Sequence, residues 1–570
     1  MFVIGGSSSS RSIAAGVVAL LLGTAAAQAQ QLSPTEHYKM RKRADAALEQ
    51  KQYAEAAAMY QQLAENDPRN GELWLSYATS ARRSGHPREG LTGAMKAFEL
   101  GAGYRPQLAY EIARGYAGMG QKDSTFAWLE KALASQLTPR TRMQTDSAFI
   151  AYRDDDRFRE LAGMLPKRTF SRDEGWRYDL AFLASEAKRL HASFKRESFS
   201  PEFEAEVKDV YDRIPKLADN QIPVELERLI VLLRDGHSVV TLPPTAKALP
   251  IDLYLFTDGL YIVGGVDAGR QLVGSKVLRF GSRTTEAVMA DLPKYVSKDN
   301  PMGIKWIGPQ TLIMIDFIQA LGGTDNPDRV TLTISDPAGV ARTVTLDGGK
   351  PRRPWYAFKL GPPENAPGQT PLYLQKVPTP YWFTRVPEAN AVYFQFNQVR
   401  ELPDEPVPDF AAKLLAALSD TSVKNLIVDV RHNSGGNSYL FPPLLRAMSS
   451  FEESSPSHKI FYIAGRNTFS AAQNFSTTVE RLTNAVFVGE PTGSSPNFVG
   501  EGPILFDLPY SHTKATISNW YHQFSFWGDT RLWIAPDVPV DLSSTDYFAN
   551  RDPAFDAVLE IIRRARGAIP

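Results

Sequence analysis

Residues suited to catalysis stand where two predicted buried strands end. Residues 427–437 (IVDVRHNSGGN) form an apolar run that leads into a turn, and the pair Gly435 and Gly436 allows backbone N–H groups to face a ligand. Residues 466–475 (RNTFSAAQNF) follow a second such run, and small residues after Ser470 allow a helix to begin there. The first N–H groups of that helix can hold the oxygen anion that forms when a serine attacks a carbonyl. Ser470 is therefore either a nucleophile or a plain N-cap, and these residues alone leave both interpretations open.

The composition limits the chemistry to oxygen and nitrogen atoms. The 570 residues include no cysteine, which excludes disulfides, thiolate metal sites and cysteine nucleophiles. The 8 histidines contain no His-x-x-x-His pair, and no glycine-rich phosphate loop with its lysine follows a strand. We therefore predict that the protein uses no metal and no cofactor.

The charge balance argues against nucleic acid as a partner. The 63 Lys and Arg residues are matched by 63 Asp and Glu residues, so the chain has no overall positive field to hold a phosphate backbone. Hydrophobic residues make up 43% of the chain, which is enough to form sizeable cores. The sequence predicts a globular protein of several domains.

The first 29 residues predict a secretory signal peptide. Arg11 is the only charge before the apolar stretch 13–27, which ends in the small-x-small signature Ala27-Gln28-Ala29. An uncleaved membrane anchor is the alternative, but the strongly apolar part is shorter than the roughly 20 residues that a span needs. We expect an exported, periplasmic protein with no membrane span after cleavage.

The segment 30–165 is alanine-rich and helical in pattern. Gly85 and Gly120 lie at predicted turns one repeat apart (120 − 85 = 35), close to the tetratricopeptide period of about 34 residues. The pattern predicts tetratricopeptide-like repeats, or an array of helical hairpins of the same shape. Either array offers a concave surface to a protein partner.

Three further regions differ in their hydrophobic period. Residues 166–245 predict helices, residues 246–350 predict a strand-rich module, and residues 351–570 alternate strands with helices as crossover units on a parallel sheet do. The clearest predicted helices cover 176–190, 201–214, 224–233 and 409–418. The clearest predicted strands cover 251–256, 330–334, 391–396, 426–430 and 459–464.

Four motifs, taken together and in order, resemble the tail-specific or C-terminal processing serine peptidases, a family that includes the tricorn core protease. They are residues 235–238 (DGHS), 428–436 (VDVRHNSGG), 467–472 (NTFSAA) and 488–493 (VGEPTG). The resemblance runs from about residue 176 to 559. It implies a multidomain α + α/β fold with a helical N-terminal part, a PDZ-like module and a crotonase-like α/β catalytic core.

The resemblance also implies roles for residues in these motifs. Ser470 matches the family's nucleophile, and Ala471 matches the residue whose N–H helps to form the oxyanion hole. Gly435 and Gly436 match the glycine pair that supplies the second donor, and Asp429 matches a structural position in the turn.

The general base separates two branches of the family. Processing peptidases use a lysine 25 residues after the serine, and residue 495 of this chain is a serine. The tricorn-like branch uses a histidine from the loop after the N-terminal helices, which His237 matches. We therefore predict Ser470 with His237, and rank His432, beside the glycine pair, second.

The acid that orients the histidine is less clearly marked. The tricorn-like pattern places a glutamate six residues before a Pro-Asp pair, and here Pro536-Asp537 is preceded at that spacing by Thr530. Its neighbour Asp529 is our choice, although it is also an ordinary turn residue, and Glu490 is the alternative.

The function predicted from these residues is that of an exported serine-type endopeptidase. Its substrate would be a peptide or an unfolded protein, held by the PDZ-like module and cleaved through an acyl-enzyme on Ser470. Two alternatives remain open: an inactive binding protein on the same fold, and a scaffold whose repeats carry the function. The natural substrate, an oligomeric state and the role of the repeats do not follow from the sequence.

Overall fold

The computed structural model describes residues 31–195, 201–354, 357–364, 366–500 and 504–567. The predicted signal peptide, residues 1–29, lies outside the described residues. The chain divides between Leu137 and Thr138 into two compact units. The domain boundaries predicted from the sequence stay predictions.

The first unit is an array of antiparallel helical hairpins. Its helices are α1 (Pro34–Glu49), α2 (Tyr53–Asn66), α3 (Gly71–Arg83), α4 (Pro87–Glu99), α5 (Arg105–Gly118) and α6 (Lys122–Ala134). Gly85 and Gly120, predicted as turn residues, follow α3 and α5 with φ values of 91° and 69°, which glycine adopts without strain. Gly90 on α4 packs so tightly on α3 that a Cβ there would lie 2.9 Å from the Ala78 carbonyl oxygen. Small residues thus set the close spacing of these helices.

The second unit begins with helices that lead to a short strand. They are α7 (Thr141–Thr145), α8 (Asp156–Leu161), α9 (Arg172–Leu190), α10 (Pro201–Arg213), α11 (Ile222–Val231) and β1 (Val239–Val240). The last three helices confirm the helices predicted from the 3.6-residue period. Ser171 and Glu174 form a reciprocal capping box that fixes the start of α9. After α11, the chain enters residues 235–238, which carry the predicted base.

The strand-rich module is an antiparallel sheet with short helices. Its strands run in the spatial order β2-β3-β4-β6-β7, with β5 paired to β4. The elements are β2 (Ile251–Phe256), β3 (Gly259–Gly265), β4 (Lys276–Phe280), β5 (Arg283–Thr284), α12 (Thr285–Asp291), α13 (Met302–Thr311), α14 (Ile315–Ala320), β6 (Arg329–Ser335) and β7 (Ala341–Asp347). The predicted strands at 251–256 and 330–334 are confirmed. A loop between α12 and α13 leaves this module and packs against the last part of the chain.

The last part of the chain is built on a six-stranded sheet in the order β17-β12-β11-β10-β9-β8, parallel except for the edge strand β8. The elements are β8 (Tyr381–Val386), β9 (Ala391–Phe396), α15 (Val407–Leu418), β10 (Asn425–Asp429), α16 (Pro442–Glu453), β11 (Lys459–Ala464), α17 (Ala471–Leu482), β12 (Val486–Gly489), β13 (Asn497–Gly500), β14 (Ile504–Asp507), β15 (Lys514–Ile517), β16 (Trp520–Gln523), β17 (Val538–Pro539), α18 (Ser544–Phe548) and α19 (Pro553–Gly567). The predicted parallel sheet is confirmed.

The register of the parallel sheet brings the two motif turns together. Asp429 at the end of β10 pairs with Ile463 near the end of β11, so both strands release their chains at the same edge. Residues 430–436 and 465–470 therefore lie side by side. Ligand sites form at this edge of parallel sheets.

The fold as a whole is multidomain α plus β, as the coarse prediction states. Among the residues that the structure describes, no helix combines the length and the apolar character needed to cross a bilayer.

Candidate active site

Ser470 stands at the turn between β11 and α17, with a backbone conformation that side chains rarely adopt. Its φ of 55° and ψ of −125° lie outside the ordinary regions for a non-glycine residue, and such strain costs about 1–3 kcal/mol. The hydroxyl makes no capping hydrogen bond to α17, although the residue occupies the N-cap position. The plain N-cap interpretation therefore does not account for the side chain. Ser470 is also partly exposed, after a run of buried residues.

The glycine pair lies directly against the serine. Gly435 has a φ of 107°, and a Cβ there would lie 2.7 Å from Ser470 Cβ and 3.0 Å from the Ala471 nitrogen. Gly436 has a φ of 140° and is pressed on the Val399 carbonyl oxygen, 2.1 Å from where a Cβ would stand. Both positions require glycine for the conformation and for the space.

Two backbone N–H groups close to Ser470 in the chain or across the turn donate to no described acceptor. The Gly435 N–H donates to Asn433 Oδ1 at 3.0 Å, so it is already engaged. The parallel bridge to Val399 uses the Gly435 carbonyl and the Asn437 N–H, and it leaves the Gly436 N–H without a partner among the described residues. Ala471, the first residue of α17, likewise donates to no described acceptor. Of the three predicted oxyanion-hole residues, Gly436 and Ala471 thus have available N–H groups.

His237 is placed next to the serine segment by aromatic stacking. Its ring lies on Phe469, the residue before Ser470, with centroids 4.5 Å apart. The ring also stacks on Phe498 of β13, with centroids 5.5 Å apart and the rings nearly parallel. Neither ring nitrogen makes a hydrogen bond of normal geometry to a described residue, so no such bond joins His237 to Ser470. Catalytic hydrogen bonds often form only in the substrate complex.

The surroundings keep the imidazole neutral. Burial lowers the pKa of His237 to about 4, although the nearby Asp235 carboxylate and, more weakly, the Val499 backbone favour the protonated ring. Asp235 Oδ1 accepts the N–H groups of His237 and Ser238 at 2.7 and 2.6 Å. Asp235 therefore fixes the backbone of residues 235–238, which we call the base loop. Its other oxygen lies 2.9 Å from His191 Nε2. A neutral imidazole can accept a proton at neutral pH.

His432, the second-ranked base, is engaged by Tyr373 through one ring nitrogen and through the ring face. Its Nε2 lies 2.9 Å from the Tyr373 carbonyl oxygen, and its ring stacks on the Tyr373 ring. Burial lowers the pKa of His432 to about 4. Asp429, expected to be structural, accepts from the Tyr393 hydroxyl at 2.7 Å and pairs with Arg431.

The two candidate orienting acids are both engaged by arginines. Asp529 accepts from Arg531 and from the Ser525 hydroxyl, and the hydrogen bond from Arg531 is the main cause that lowers the pKa of Asp529 to about 2. Glu490 pairs with Arg466, which outweighs the effect of burial and lowers the pKa of Glu490 to about 2. The structure brings neither carboxylate into hydrogen-bond contact with His237. Their role as a third catalytic residue stays a prediction.

A groove of about 990 Å³ is lined by His237 and by the chain neighbours of Ser470 and of the glycine pair, though not by Ser470 itself. Its wall includes His237, Phe469 and Ser434, which precedes the glycine pair, together with Trp306 and Ile307 from α13 of the strand-rich module. Apolar atoms dominate this wall, as is common for ligand pockets. The described ranges contain no group of three acidic or histidine side chains arranged to hold a metal ion.

The fold has relatives among solved structures. The crystal structure of a serine-to-alanine mutant of CPAF aligns with a TM-score of 0.51 and 14% identity, over 70% of this chain and 98% of that chain. The structure of mature CPAF in complex with lactacystin aligns with a TM-score of 0.50 and 14% identity, over 69% and 98%. The photosystem II D1 C-terminal processing protease aligns at a TM-score of 0.33 and 12% identity, over 69% and 98%.

Over about 70% of its length the chain has the fold seen in CPAF. At these identities the likeness shows the fold, and the site must be judged from its own residues. No protein-family model and no curated protein matches the sequence.

Several residues that shape the candidate site did not follow from the sequence. Asp299 accepts a backbone N–H of the base loop, and Ser494 accepts a backbone N–H of residues 465–470, which we call the serine loop. Phe498 stacks on the imidazole. Asp235 was seen only as part of a motif. The signal for Asp235 was present, since an acid two residues before a loop histidine can accept backbone N–H groups. Asp299 gave no such local signal.

Proposed function

We propose that the protein is an exported serine endopeptidase that cleaves unfolded polypeptides, with Ser470 as nucleophile and His237 as general base. The observation that carries the proposal is the setting of Ser470: a strained backbone, a hydroxyl that does not cap its helix, and the available N–H groups of Gly436 and Ala471 beside it. A strained serine beside N–H groups that bind an anion is suited to acyl transfer, because those groups stabilise the oxygen anion that forms when the serine attacks a carbonyl.

The reaction would proceed in two balanced halves. Ser470 Oγ attacks the scissile carbonyl carbon while its proton passes to the neutral ring of His237, and the carbonyl oxygen becomes an anion held by the two N–H groups. The anion collapses, the C–N bond breaks, and the imidazolium returns the proton to the leaving amine. Water then attacks the acyl-enzyme with the same proton path and restores Ser470.

The finer description of the parts belongs to the same proposal. The helical hairpins of the first unit fit tetratricopeptide-like repeats, the antiparallel β2–β7 sheet fits a PDZ-like module, and the parallel sheet fits a crotonase-like core. Residues 1–29 support export to the periplasm. A protein partner on the repeats and an oligomer belong to the same proposal.

Replacement of the nucleophile tests the function. Ser470→Ala should lower the hydrolysis of an unfolded casein, and the labelling rate with a fluorophosphonate, by a factor on the order of 10⁴. Ser419→Ala, at the exposed end of α15, serves as the control and should keep wild-type rates.

A second candidate, the inactive binding protein, is favoured by one observation: no carboxylate of the described residues is hydrogen-bonded to the His237 ring. Absence of both hydrolysis and fluorophosphonate labelling in the wild-type protein would support it over the peptidase. Labelling that disappears in Ser470→Ala excludes it.

A further inference from the structure

One buried carboxylate lies between the base loop and the serine loop. Asp299, in the loop between α12 and α13, accepts the Gly236 N–H at Oδ1, 2.7 Å away. Its Oδ2 accepts the Ser494 hydroxyl. Gly236 immediately precedes His237, so one oxygen of Asp299 binds the base loop.

Ser494 extends the connection to the nucleophile. Its oxygen accepts the backbone N–H of Ser470 at 3.5 Å, and the Ser494 side chain is fully buried. Asp299 thus reaches the backbone beside the candidate base directly and the backbone of the candidate nucleophile through one hydroxyl. In both loops these hydrogen bonds involve backbone N–H groups, so they engage neither the Ser470 hydroxyl nor the His237 ring.

Close packing around Gly236 also links Asp299 to the residue before Ser470. A Cβ at Gly236 would lie 2.7 Å from the Phe469 ring and 3.2 Å from Asp299 Oδ1. Gly236 is therefore held between Asp299 on one side and the residue before Ser470 on the other. Because interiors are close-packed, a shift of Asp299 moves both loops.

The Asp299 loop is itself anchored to the catalytic part of the chain. Asn300 Nδ2 donates to the carbonyl oxygens of Thr492 at 3.0 Å and Leu532 at 2.7 Å. Its Oδ1 accepts the Met302 N–H, at the start of α13. The position of Asp299 is thus set by the strand-rich module and by the core together.

Burying the Asp299 carboxylate costs free energy of folding. Its buried position therefore indicates a role other than stabilising the fold. No Lys or Arg among the described residues pairs with it, and burial, reinforced by the Asp235 charge, raises the pKa of Asp299 to about 7. A buried carboxylate without a cation is stabilised only by the hydrogen bonds it accepts.

We propose that Asp299 is a positioning residue that holds the backbones of the His237 loop and of Ser470 in reactive geometry. This inference rests on the proposed peptidase function. It assigns the strand-rich module a part in the catalytic geometry, since the residue comes from that module.

The test compares three variants with a matched control. Asp299→Asn keeps the shape but must donate an N–H toward Ser494, Ser494→Ala removes the relay, and the double variant combines them. Asp316→Asn is the control, because Asp316 is a buried carboxylate of the same module that accepts a hydrogen bond from Asn220 and does not line the groove.

We expect each single variant to lower kcat and the fluorophosphonate labelling rate by about 30- to 100-fold, with KM within a factor of two, because displaced groups lose transition-state alignment. The double variant should be no slower than the slower single variant, since both act through one connection. Asp316→Asn should keep kcat while losing comparable thermal stability. Unchanged kcat in Asp299→Asn, or losses that multiply in the double variant, would overturn the proposal.

Amide hydrogen exchange separates this proposal from the proposed function. Exchange in segments 235–239 and 467–472 should quicken in Asp299→Asn and Ser494→Ala but not in Asp316→Asn. Unchanged exchange in both segments overturns the positioning role even if activity falls. A wild-type protein that is never labelled at Ser470 contradicts the peptidase function, and the exchange result then still decides whether Asp299 holds the two loops.

Discussion

The hydroxyl of Ser470 is available because of the backbone that carries it. A serine with ordinary N-cap angles turns its oxygen toward the N–H groups of its own helix. At φ 55° and ψ −125° Ser470 does not make that hydrogen bond, and Gly435 fills the space beside it. The reactive group therefore depends on a neighbour that has no side chain.

Gly435→Ala tests this dependence. The new methyl group would meet Ser470 Cβ at 2.7 Å in a conformation that alanine resists, so we expect kcat for casein hydrolysis to fall by at least about 100-fold. Thermal unfolding should show a loss of about 1–2 kcal/mol from the backbone alone.

Gly339→Ala is the matched control for that variant. Gly339 also has a positive φ, 83°, but no atom lies near its missing Cβ. It should lose similar stability and keep wild-type activity. Wild-type activity in both variants would contradict the dependence of Ser470 on Gly435.

At the scale of elements, aromatic rings from two different segments stack on the His237 imidazole. Phe469 belongs to the serine loop, and Phe498 belongs to β13, which pairs with β16. Together they remove water from His237, which is the main reason for its low pKa.

Phe498→Ala should therefore raise the pKa of His237 by about one unit, from about 4 toward the value of a hydrated imidazole. Because the protonated ring cannot act as a base, the acid limb of the kcat/KM profile should move to higher pH by the same amount. Phe506→Ala is the control, since Phe506 on β14 packs against Phe182 instead. Coincident acid limbs in both variants would contradict the enclosing role.

Helices and strands were predictable where the spacing of apolar residues followed a single period along the segment. The apolar runs of β9, β10 and β11 and the helix after Ser470 follow from local pattern alone. The Asp299 loop could not be predicted, because Asp299 is 63 residues from Gly236 and 195 from Ser494 along the chain. Such pairs depend on how the module packs on the core, which no local pattern records. The low pKa of His237 was missed for the same reason, since Phe498 is distant in sequence.

At the scale of the whole molecule, stability should depend on buried titratable groups at both ends of the pH range. Burial raises the pKa of Glu227 to about 8, so the folded state keeps a proton that the unfolded state loses near pH 4.5, and stability falls as pH rises from there through 8. Burial lowers the pKa values of His237 and His432 to about 4, so stability falls as pH drops from about 6.5 toward 4.

Glu227→Gln should remove the loss at high pH. Glu227 accepts the Val240 N–H at one oxygen and the Ser297 hydroxyl at the other. The glutamine oxygen can still accept the Val240 N–H, and its amide N–H can donate to the Ser297 oxygen once that hydroxyl turns its proton away. We expect a gain of about 2–4 kcal/mol at pH 8 and little change at pH 5, measured by denaturant unfolding. Glu453→Gln, at the exposed end of α16, should change stability at neither pH. Equal effects of Glu227→Gln at both pH values would contradict the raised pKa.

The tight space at Gly236 has a consequence for the history of such chains. Any side chain there would push the Phe469 ring off the imidazole and crowd Asp299, so the position tolerates change only once the reaction is no longer under selection. A descendant that kept the fold as a ligand carrier would be free to acquire a larger residue at 236 while every strand remained in place. Residue 236 can thus serve as a genetic record of whether the chemistry has been retained.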